Sequence, residues 1–412
     1  MSRARAQWPL AGLLLAGLLV GACSSCSGPG ADPDGGPDSG GDMDSDIDTG
    51  TGTYKTDAGP WDWEDLPPGE DCGPGCEQIA ITEHIEPREW DVWDDHLVFM
   101  ELSTKRIQVI DTEEKKGLSI PDVYPDHPII PGQNGTHSPV IFDSSVVYYL
   151  WILETGFERI SYVHTDLQNF TQEIIWETDE SPEGPSWIPE FDVYDSRIAS
   201  DSGGSCGGAS SVLAACLREQ PWPSEGEPLN DCSFGISVWG NRIVCIDTTS
   251  PPDDITAYDL DTKQPFPITD DDEYQIFPRI HEDLVVWQDF RLGAGEPTGS
   301  WEHCAIFVKD LGTGDTTQIT DGAAIAAYPD VHGDVVVWQD YRHCDDPQDK
   351  NDFDNVEIYG YNLATETEAR ITSLPGRPKV HPRVWGDRVF VDMQTLEGGN
   401  AIFVFDLPDG LR

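Results

Sequence analysis

The sequence predicts an all-β protein with the β-propeller fold. A strand–turn–strand segment, clearest between Pro329 and Arg342, recurs along most of the chain. The turn residues of its seven copies are Asp95, Ser144, Ser196, Asn241, Asp283, Asp334 and Asp387, with spacings of 49, 52, 45, 42, 51 and 53 residues. A repeat of about 40 to 50 residues that holds several strands is typical of a β-propeller.

Each repeat is expected to hold four strands. In the better copies the hairpin is followed by a third strand and, after a short turn, by a fourth, as at 305–311 and 316–320. The last repeat ends after its third strand, at 401–407, whereas the segment 77–82 precedes the first hairpin and matches a fourth strand. Pairing the two closes the ring and leaves no open sheet edge. We therefore predict seven four-stranded blades over residues 76–412, with six or eight as alternatives because the third repeat is degraded.

Residues 1–22 have the pattern of an export signal. Their apolar run, 10–20, is too short to span a membrane. The run ends in Val20-Gly21-Ala22-Cys23, which resembles the lipobox of bacterial lipoprotein signal peptides. This resemblance implies cleavage before Cys23 and a lipid anchor on its thiol, and Ser24 in the next position implies the outer membrane, on either side of it. An ordinary secretory signal is the alternative.

The chain is strongly acidic, with 76 Asp and Glu against 24 Lys and Arg and a formal net charge of -52. Such a charge disfavours binding to nucleic acid and to anionic lipid, so the lipid anchor is the only membrane contact expected. Residues 23–75 are of low complexity, rich in Gly, Pro, Asp and Ser. This composition predicts a disordered acidic tether between the anchor and the propeller.

Three segments in the later repeats carry a resemblance to a known family. Trp338-Gln-Asp-Tyr-Arg342, 358–365 and Ala369-Arg-Ile-Thr372 resemble the TolB-type propeller repeat of bacterial envelope proteins. The resemblance implies a non-enzymatic binding or scaffolding module for a protein or glycan partner. Because some relatives are lyases or carry peptidase domains, a polysaccharide-acting lyase or hydrolase is the alternative, with Asp289 and Asp340 as acid and base. No Gly-x-Ser-x-Gly, His-Glu-x-x-His or Walker-type sequence is present, and no catalytic residue is predicted.

The ends of the second strands supply the candidate binding face. These positions carry Glu101, Asp247, Asp289 and Asp340, and Arg291 and Arg342 follow the last two. A carboxylate ring at the channel mouth could bind cations or a basic partner, whereas the alternative is that each Asp caps its own loop.

Two long loops, 291–303 and 342–355, flank one sector of this face and are expected to set specificity. No cofactor is predicted. Calcium is an alternative because 345–355 is acidic, although its spacing matches no standard calcium loop.

Ten cysteines in an exported chain predict disulfides. Cys72 and Cys76 can close a small loop, and the degraded repeats carry four cysteines whose three pairings stay open: Cys206, Cys216, Cys232 and Cys245. Cys304 and Cys344 lie on neighbouring blades and are expected to bridge them. The alternative is a zinc site made of the doublets His303-Cys304 and His343-Cys344, which an oxidising compartment disfavours.

Overall fold

The computed structural model describes a large part of the chain. The described residues are 53–54, 61–82, 90–101, 104–121, 134–154, 157–180, 191–200, 215–219, 227–229, 232–248, 252–293, 301–352, 355–396 and 399–412. The predicted signal peptide, the lipidation site Cys23 and most of the predicted tether lie outside them. Within the described part all regular structure is strand, and no helix there is long and apolar enough to cross a membrane.

The strands are short and follow one another through tight turns. The first half of the chain contains β1 (Thr53–Tyr54), β2 (Glu64–Asp65), β3 (Cys76–Thr82), β4 (Trp90–Trp93), β5 (His96–Glu101), β6 (Arg106–Asp111), β7 (Lys116–Ser119), β8 (Asn134–Phe142), β9 (Ser145–Glu154), β10 (Phe157–Asp166), β11 (Thr171–Glu180), β12 (Phe191–Tyr194), β13 (Arg197–Ser200), β14 (Ala215–Glu219) and β15 (Glu227–Leu229). The second half contains β16 (Phe234–Trp239), β17 (Arg242–Asp247), β18 (Asp254–Asp259), β19 (Gln264–Pro267), β20 (Gln275–His281), β21 (Leu284–Asp289), β22 (Ala305–Asp310), β23 (Thr316–Gln318), β24 (Ala326–His332), β25 (Val335–Asp340), β26 (Glu357–Asn362), β27 (Thr367–Arg370), β28 (Lys379–Trp385), β29 (Arg388–Gln394) and β30 (Asn400–Asp406).

These strands form antiparallel sheets in chain order, as a β-propeller requires. The strand orders are β4 to β7 with β2 outside, β8 to β11 with β1 outside, β12 to β15, β16 to β19, β20 to β23, β24 to β27, and β28 to β30 with β3 outside. The first strands of successive sheets contact one another, and β28 contacts β4 to complete the circle. The first strands therefore surround a common axis.

The predicted closing strand is present. β3 pairs antiparallel with β30, in a register that places Cys76 opposite Phe405 and Thr82 opposite Asn400. The two ends of the propeller thus share one sheet, which leaves neither end of the ring with an unpaired edge. Ile79 of β3 packs in a core with Ile402 and Val404, so side-chain burial supports the pairing.

Residues 61–75, which the sequence assigned to the tether, belong to the folded structure. β2 pairs with β7, and β1 pairs with β11, so the incoming chain covers two outer sheet edges. Trp61 is buried, and its ring meets that of Phe170 edge to face at 5.4 Å. Burial of a tryptophan offsets part of the entropy cost of ordering a polar segment, which composition alone does not reveal.

The disulfides agree in part with the predictions. Cys72 is bonded to Cys76, and Cys232 is bonded to Cys245 across the start of the fourth sheet. Cys206 and the side chain of Cys216 lie outside the described part.

The predicted bridge between Cys304 and Cys344 is wrong, since both residues are free thiols in an apolar cluster with Tyr341. The Cys304 thiol donates to the backbone carbonyl of Ala326 at 3.4 Å, and burial raises its pKa to about 12. It is thus held as a neutral, buried thiol.

Candidate functional site

One end of the axis is closed by a ring of aromatic side chains, which we call the aromatic collar. Each first strand contributes the last residue before its hairpin turn: Trp93, Phe142, Tyr194, Trp239, His281, His332 and Trp385. Centroid distances between successive members, ending back at Trp93, are 4.2, 4.5, 5.0, 4.0, 4.3, 4.5 and 4.3 Å. Trp93 also stacks on Trp239 from across the ring, at 5.6 Å. The collar therefore fills the axis at this end.

The collar also ties neighbouring sheets together through its two histidines. The N–H of Gly333 donates to Nδ1 of His281 at 3.1 Å, and the N–H of Gly386 donates to Nδ1 of His332 at 3.3 Å. Each bond requires a neutral ring, because Nδ1 accepts. Burial and the neighbouring His332 lower the pKa of His281 to about 4, so the neutral ring is the stable form.

A second layer lies two residues earlier on each first strand, about 7 Å along the axis, since residues i and i+2 of a strand share a face. We call it the charged layer, and its members are Asp91, Val140, Asp192, Ser237, Arg279, Asp330 and Arg383. Burial raises the pKa of Asp91 to about 6, with Asp192 adding to the rise. Burial also raises the pKa of Asp192 and lowers that of Arg383. Asp330 is buried and the other charged members of the layer are partly buried, so their charges cost free energy unless they are solvated or bound.

At the other end of the axis the first strands carry a repeated β-bulge. The ladder register shifts at this point in five sheets. The bulge residue has positive φ in each: Ser138 at 47°, Gly235 at 65°, Phe277 at 54°, Tyr328 at 52° and His381 at 52°. Positive φ suits glycine but costs an aromatic residue on the order of 1–2 kcal/mol. Bulges re-aim side chains, and three large rings are held here in spite of that cost.

The three rings form one surface, which we call the mouth cluster together with Trp301. Phe277 stacks on Tyr328 with centroids 4.6 Å apart, and His381 meets Tyr328 edge to face at 4.7 Å. Trp301 lies 5.6 Å from Tyr328 and 6.3 Å from Phe277. Nζ of Lys350 lies 5.5 Å over the Trp301 ring. All four rings are only partly buried, which leaves aromatic surface at this end of the axis.

The two long loops predicted to set specificity bring Trp301 and Lys350 to this place. The loops are bonded to each other, since the N–H of His303 donates to Oε1 of Gln348 at 2.7 Å. Gln348 also donates to the carbonyl of Gly322 at 3.0 Å, which holds this loop against the segment between β23 and β24. The described parts of the two loops therefore lie side by side, and their role in specificity stays a prediction.

The predicted carboxylates Asp289 and Asp340 are not open to a ligand. Asp340 accepts from Nε1 of Trp338 at 2.8 Å, and Nε and Nη2 of Arg342 donate to it at 2.8 Å each. Asp289 is held in the same way by Trp287 and Arg291. Both carboxylates are almost fully buried. In this arrangement neither carboxylate is free to act as acid or base on a bound glycan, because each is occupied by its own loop.

The other predicted residues of the face are likewise occupied or dispersed. Arg342 packs over the Tyr359 ring at 4.0 Å and pairs with Glu368, while Arg291 packs over Phe307 and pairs with Asp271. Glu101 accepts from Thr104 at 2.6 Å, as a loop cap does. Asp247 lies at the end of β17, opposite Asp254. Loop capping, the alternative considered from the sequence, describes most of these positions.

The metal alternatives find no geometric support in the described part. No group of three or more His, Cys, Asp or Glu side chains there is placed to hold a metal ion. In the acidic loop 345–355, Asp346 and Asp349 cap turns through the N–H groups of Gln348 and Asn351. Nδ1 of His303 lies 3.0 Å from the carbonyl of Gly322, so this ring has a backbone partner.

Sequence reasoning missed the mouth cluster and the charged layer, although the repeat alignment contains a signal for each. Phe277, Tyr328 and His381 each precede a proline at the same repeat position. Three acids and two arginines stand among the seven positions that lie two residues before the collar, whereas the residues on either side of these positions are apolar. Because a bulge changes which side chains of a strand face the axis, neither signal predicts a cluster unless the position of the bulge is already known.

Comparison with known proteins supports the fold alone. No protein-family model matches the chain, and no curated protein matches it either. Among solved structures, an oligogalacturonate lyase from Vibrio parahaemolyticus has a TM-score of 0.52 at 11% identity, covering 85% of this chain and 100% of that one. The β-propeller domain of the Trilobed protease from Pyrococcus furiosus has a TM-score of 0.52 at 9% identity, covering 80% and 93%.

TolB from Acinetobacter baumannii is also similar, with a TM-score of 0.38 at 14% identity over 77% of this chain and 78% of that one. That score is too low to carry an argument. The two structures with TM-scores of 0.52 thus support an all-β propeller fold for this chain. At these identities the activities of the neighbours say nothing about this chain.

Proposed function

We propose that this protein is a non-enzymatic binding propeller that holds a glycan or protein partner at the mouth cluster. The observation that carries the proposal is the convergence of Phe277, Tyr328 and His381, all at positive φ, with Trp301 from a long loop. Backbone strain concentrated on partly exposed rings is characteristic of a functional surface. We further propose that the seven sheets are seven blades around one axis. The support is that the first strand of each sheet contributes one aromatic side chain to the collar.

The mouth cluster is suited to binding because its partly buried rings lie at the end of the axis opposite the collar. The collar fills its own end, so a ligand group that enters the axis does so from the side of the four rings. Aromatic rings provide large contact area at a small entropy cost, and Lys350 adds a cation at the rim. The arrangement suits the flat C–H face of a sugar or an aromatic side chain of a protein.

We propose further that the protein is attached to the outer membrane through lipid on Cys23. The support is the sequence Val20-Gly21-Ala22-Cys23 at the end of the apolar run. Cys23→Ala should release the protein from the membrane fraction and abolish incorporation of labelled fatty acid. Cys26→Ala is the matched control and should stay anchored. Unchanged partitioning of the Cys23 variant would refute the anchor.

The binding proposal is tested with the full-length protein, on an array of defined neutral and acidic oligosaccharides and by capture of envelope proteins. Trp301→Ala and Tyr328→Ala should each weaken partner binding at least tenfold. Trp63→Ala is the matched control, because Trp63 is half-buried on the outer edge of the first sheet and should leave binding unchanged.

A partner retained equally by both mouth variants, or the absence of any partner from both screens, would overturn the proposal. Cleavage of any probe by the protein would overturn its non-enzymatic part.

A further inference from the structure

We propose that Arg279 and Arg383 form a subsite for a carboxylate of the partner, and that the partner is an acidic sugar chain whose end enters the axis. The inference rests on the proposed function, because it extends the mouth cluster inward to the charged layer.

The hydrogen-bond donors of these arginines are largely unused. Arg383 packs over the Trp90 ring at 5.9 Å, and it has no hydrogen bond or ion pair to any other described residue. Arg279 has one long hydrogen bond, 3.4 Å from Nη1 to the carbonyl of Ile236. A guanidinium carries five N–H donors, and both arginines are only partly buried, so these donors can meet solvent or a ligand. Their donors are therefore available to a ligand that enters the axis.

The acids of the charged layer do not neutralise these arginines by contact. Each acid instead bonds the backbone of the next sheet: Asp91 accepts from Ile141 at 3.1 Å, Asp192 from Val238 at 2.7 Å and Asp330 from Val384 at 2.8 Å. Among the described residues no ion pair within 4.0 Å joins an acid of this layer to either arginine. Each acid thus holds the next sheet through a backbone hydrogen bond, whereas the two arginines keep most of their donors without a partner among the described residues.

Two causes act against the charged form of Arg383. Burial lowers its pKa and repulsion from Arg279 lowers it further, while attraction to Asp330, Asp91 and Asp192 opposes the shift without cancelling it. A carboxylate bound between two guanidinium groups relieves both effects, since it replaces lost solvation and screens the repulsion. The planar fork of arginine matches the two oxygens of a carboxylate, which a water molecule does not.

The depth of the layer favours a sugar over a peptide. Arg279 and Arg383 follow the bulge residues Phe277 and His381 by two positions, so one terminal unit of a chain reaches the charged layer while the next lies against the rings. A uronic acid unit offers a carboxylate to the arginines and hydroxyl donors to the remaining oxygens of Asp91 and Asp192. A peptide end offers a carboxylate with few donors around it. The acidic surface repels such a chain at long range, a repulsion that is largely screened at physiological salt.

The test is calorimetric titration of the full-length protein at physiological salt with a trisaccharide of uronic acid units and with its methyl ester. We expect the free acid to bind at least tenfold more tightly than the ester. Arg383→Gln should remove this difference, whereas Arg383→Lys, which keeps the charge but loses the fork, should retain part of it. Arg242→Gln is the matched control, because Arg242 pairs with Asp283 at the collar end.

The outcomes separate this inference from the proposed function. The carboxylate subsite is overturned if the acid and the ester bind equally, or if both Arg383 variants keep the selectivity of the wild type. In either case the proposal for the mouth cluster still stands if Trp301→Ala abolishes binding. A peptide with a free C-terminal carboxylate that binds in place of the trisaccharide, and loses binding on amidation, overturns the sugar assignment. If Arg383→Gln does not fold, as judged by its circular dichroism, the Arg383→Lys variant and the ester comparison decide the question.

Discussion

His281 of the fifth sheet accepts a hydrogen bond at Nδ1 from the backbone N–H of Gly333, in the hairpin turn of the sixth sheet. The bond crosses from one sheet to the next and lies inside the aromatic collar, where the His281 ring is 4.0 Å from Trp239 and 4.3 Å from His332. Because a protonated ring can only donate, one proton removes this link between the sheets and places a charge among aromatic rings.

We therefore predict that acid weakens the propeller through His281. Its pKa falls from 6.5 to about 4 on folding, so below pH 6.5 the unfolded chain binds a proton that the folded chain does not. The stability contributed by the neutral ring is complete above pH 6.5 and is lost as the pH falls towards 4, on the order of 3 kcal/mol in total.

Urea unfolding of the wild type and of His281→Phe, between pH 4 and pH 7.5, measures this effect. Phenylalanine keeps a ring in the collar but has no titrating nitrogen, so the wild type should lose stability relative to the variant as the pH falls. A constant difference between the two proteins across this range would contradict the assignment.

Asp392 is predicted to lower the stability of the folded protein as the pH rises, which is the opposite of the effect of His281. It lies in β29, almost fully buried, and burial alone raises its pKa to about 7. The folded protein thus favours the protonated carboxyl, and stability is lost as the pH rises from about 4 through 7. Asp392→Asn should gain stability over the wild type across that range, on the order of 4 kcal/mol at pH 8 and little at pH 4.

Thermal unfolding at pH 4, 6 and 8 tests the prediction for Asp392. Asp409→Asn serves as the control, because Asp409 is exposed near the C-terminus and its neutralisation should change little at any of these values. A loss of stability in Asp392→Asn at pH 8 would show that the ionised carboxylate has a favourable partner and would end this interpretation.

The fold followed from the sequence because its signals are local. Alternating apolar residues and tight turns, repeated every 42 to 53 residues, define a four-stranded unit without knowledge of its neighbours. The closing strand was predictable for the same reason, since Cys76–Thr82 supplies the strand that the last repeat lacks.

The candidate site was harder to predict from the sequence, because it depends on contacts between different repeats. Whether Cys304 and Cys344 bond depends on the direction of their Cβ atoms, which spacing does not determine. The sequence suggested that Asp340 is a surface acid because it stands at the end of a strand. Trp338 lies on the same face of that strand, however, and its Nε1 donates a hydrogen bond to the carboxylate of Asp340. The mouth cluster arises from bulges, each of which adds one residue and re-aims a ring in a way that periodicity does not show.

The aspartates in the second strands are expected to be structural. Asp340→Ala leaves the buried Nε1 of Trp338 without its acceptor and removes the main partner of Arg342. We expect a loss of about 2–4 kcal/mol in unfolding free energy. Asp334→Ala, in the exposed turn of the same sheet, should cost less than about 1 kcal/mol. Equal effects of the two substitutions on urea unfolding would argue against a structural role for Asp340.

The disulfide Cys232–Cys245 is expected to matter more for stability than Cys72–Cys76. The first closes a separation of 13 residues and the second a separation of 4, and the entropy removed from the unfolded chain grows with loop length. Replacing both cysteines of a pair by alanine should cost about 3 kcal/mol for the longer loop and about 2 kcal/mol for the shorter. The measurement is urea unfolding of the two double variants without reductant. A larger loss for the Cys72–Cys76 pair would mean that its main contribution is to hold the incoming chain against β30 rather than to restrict the unfolded state.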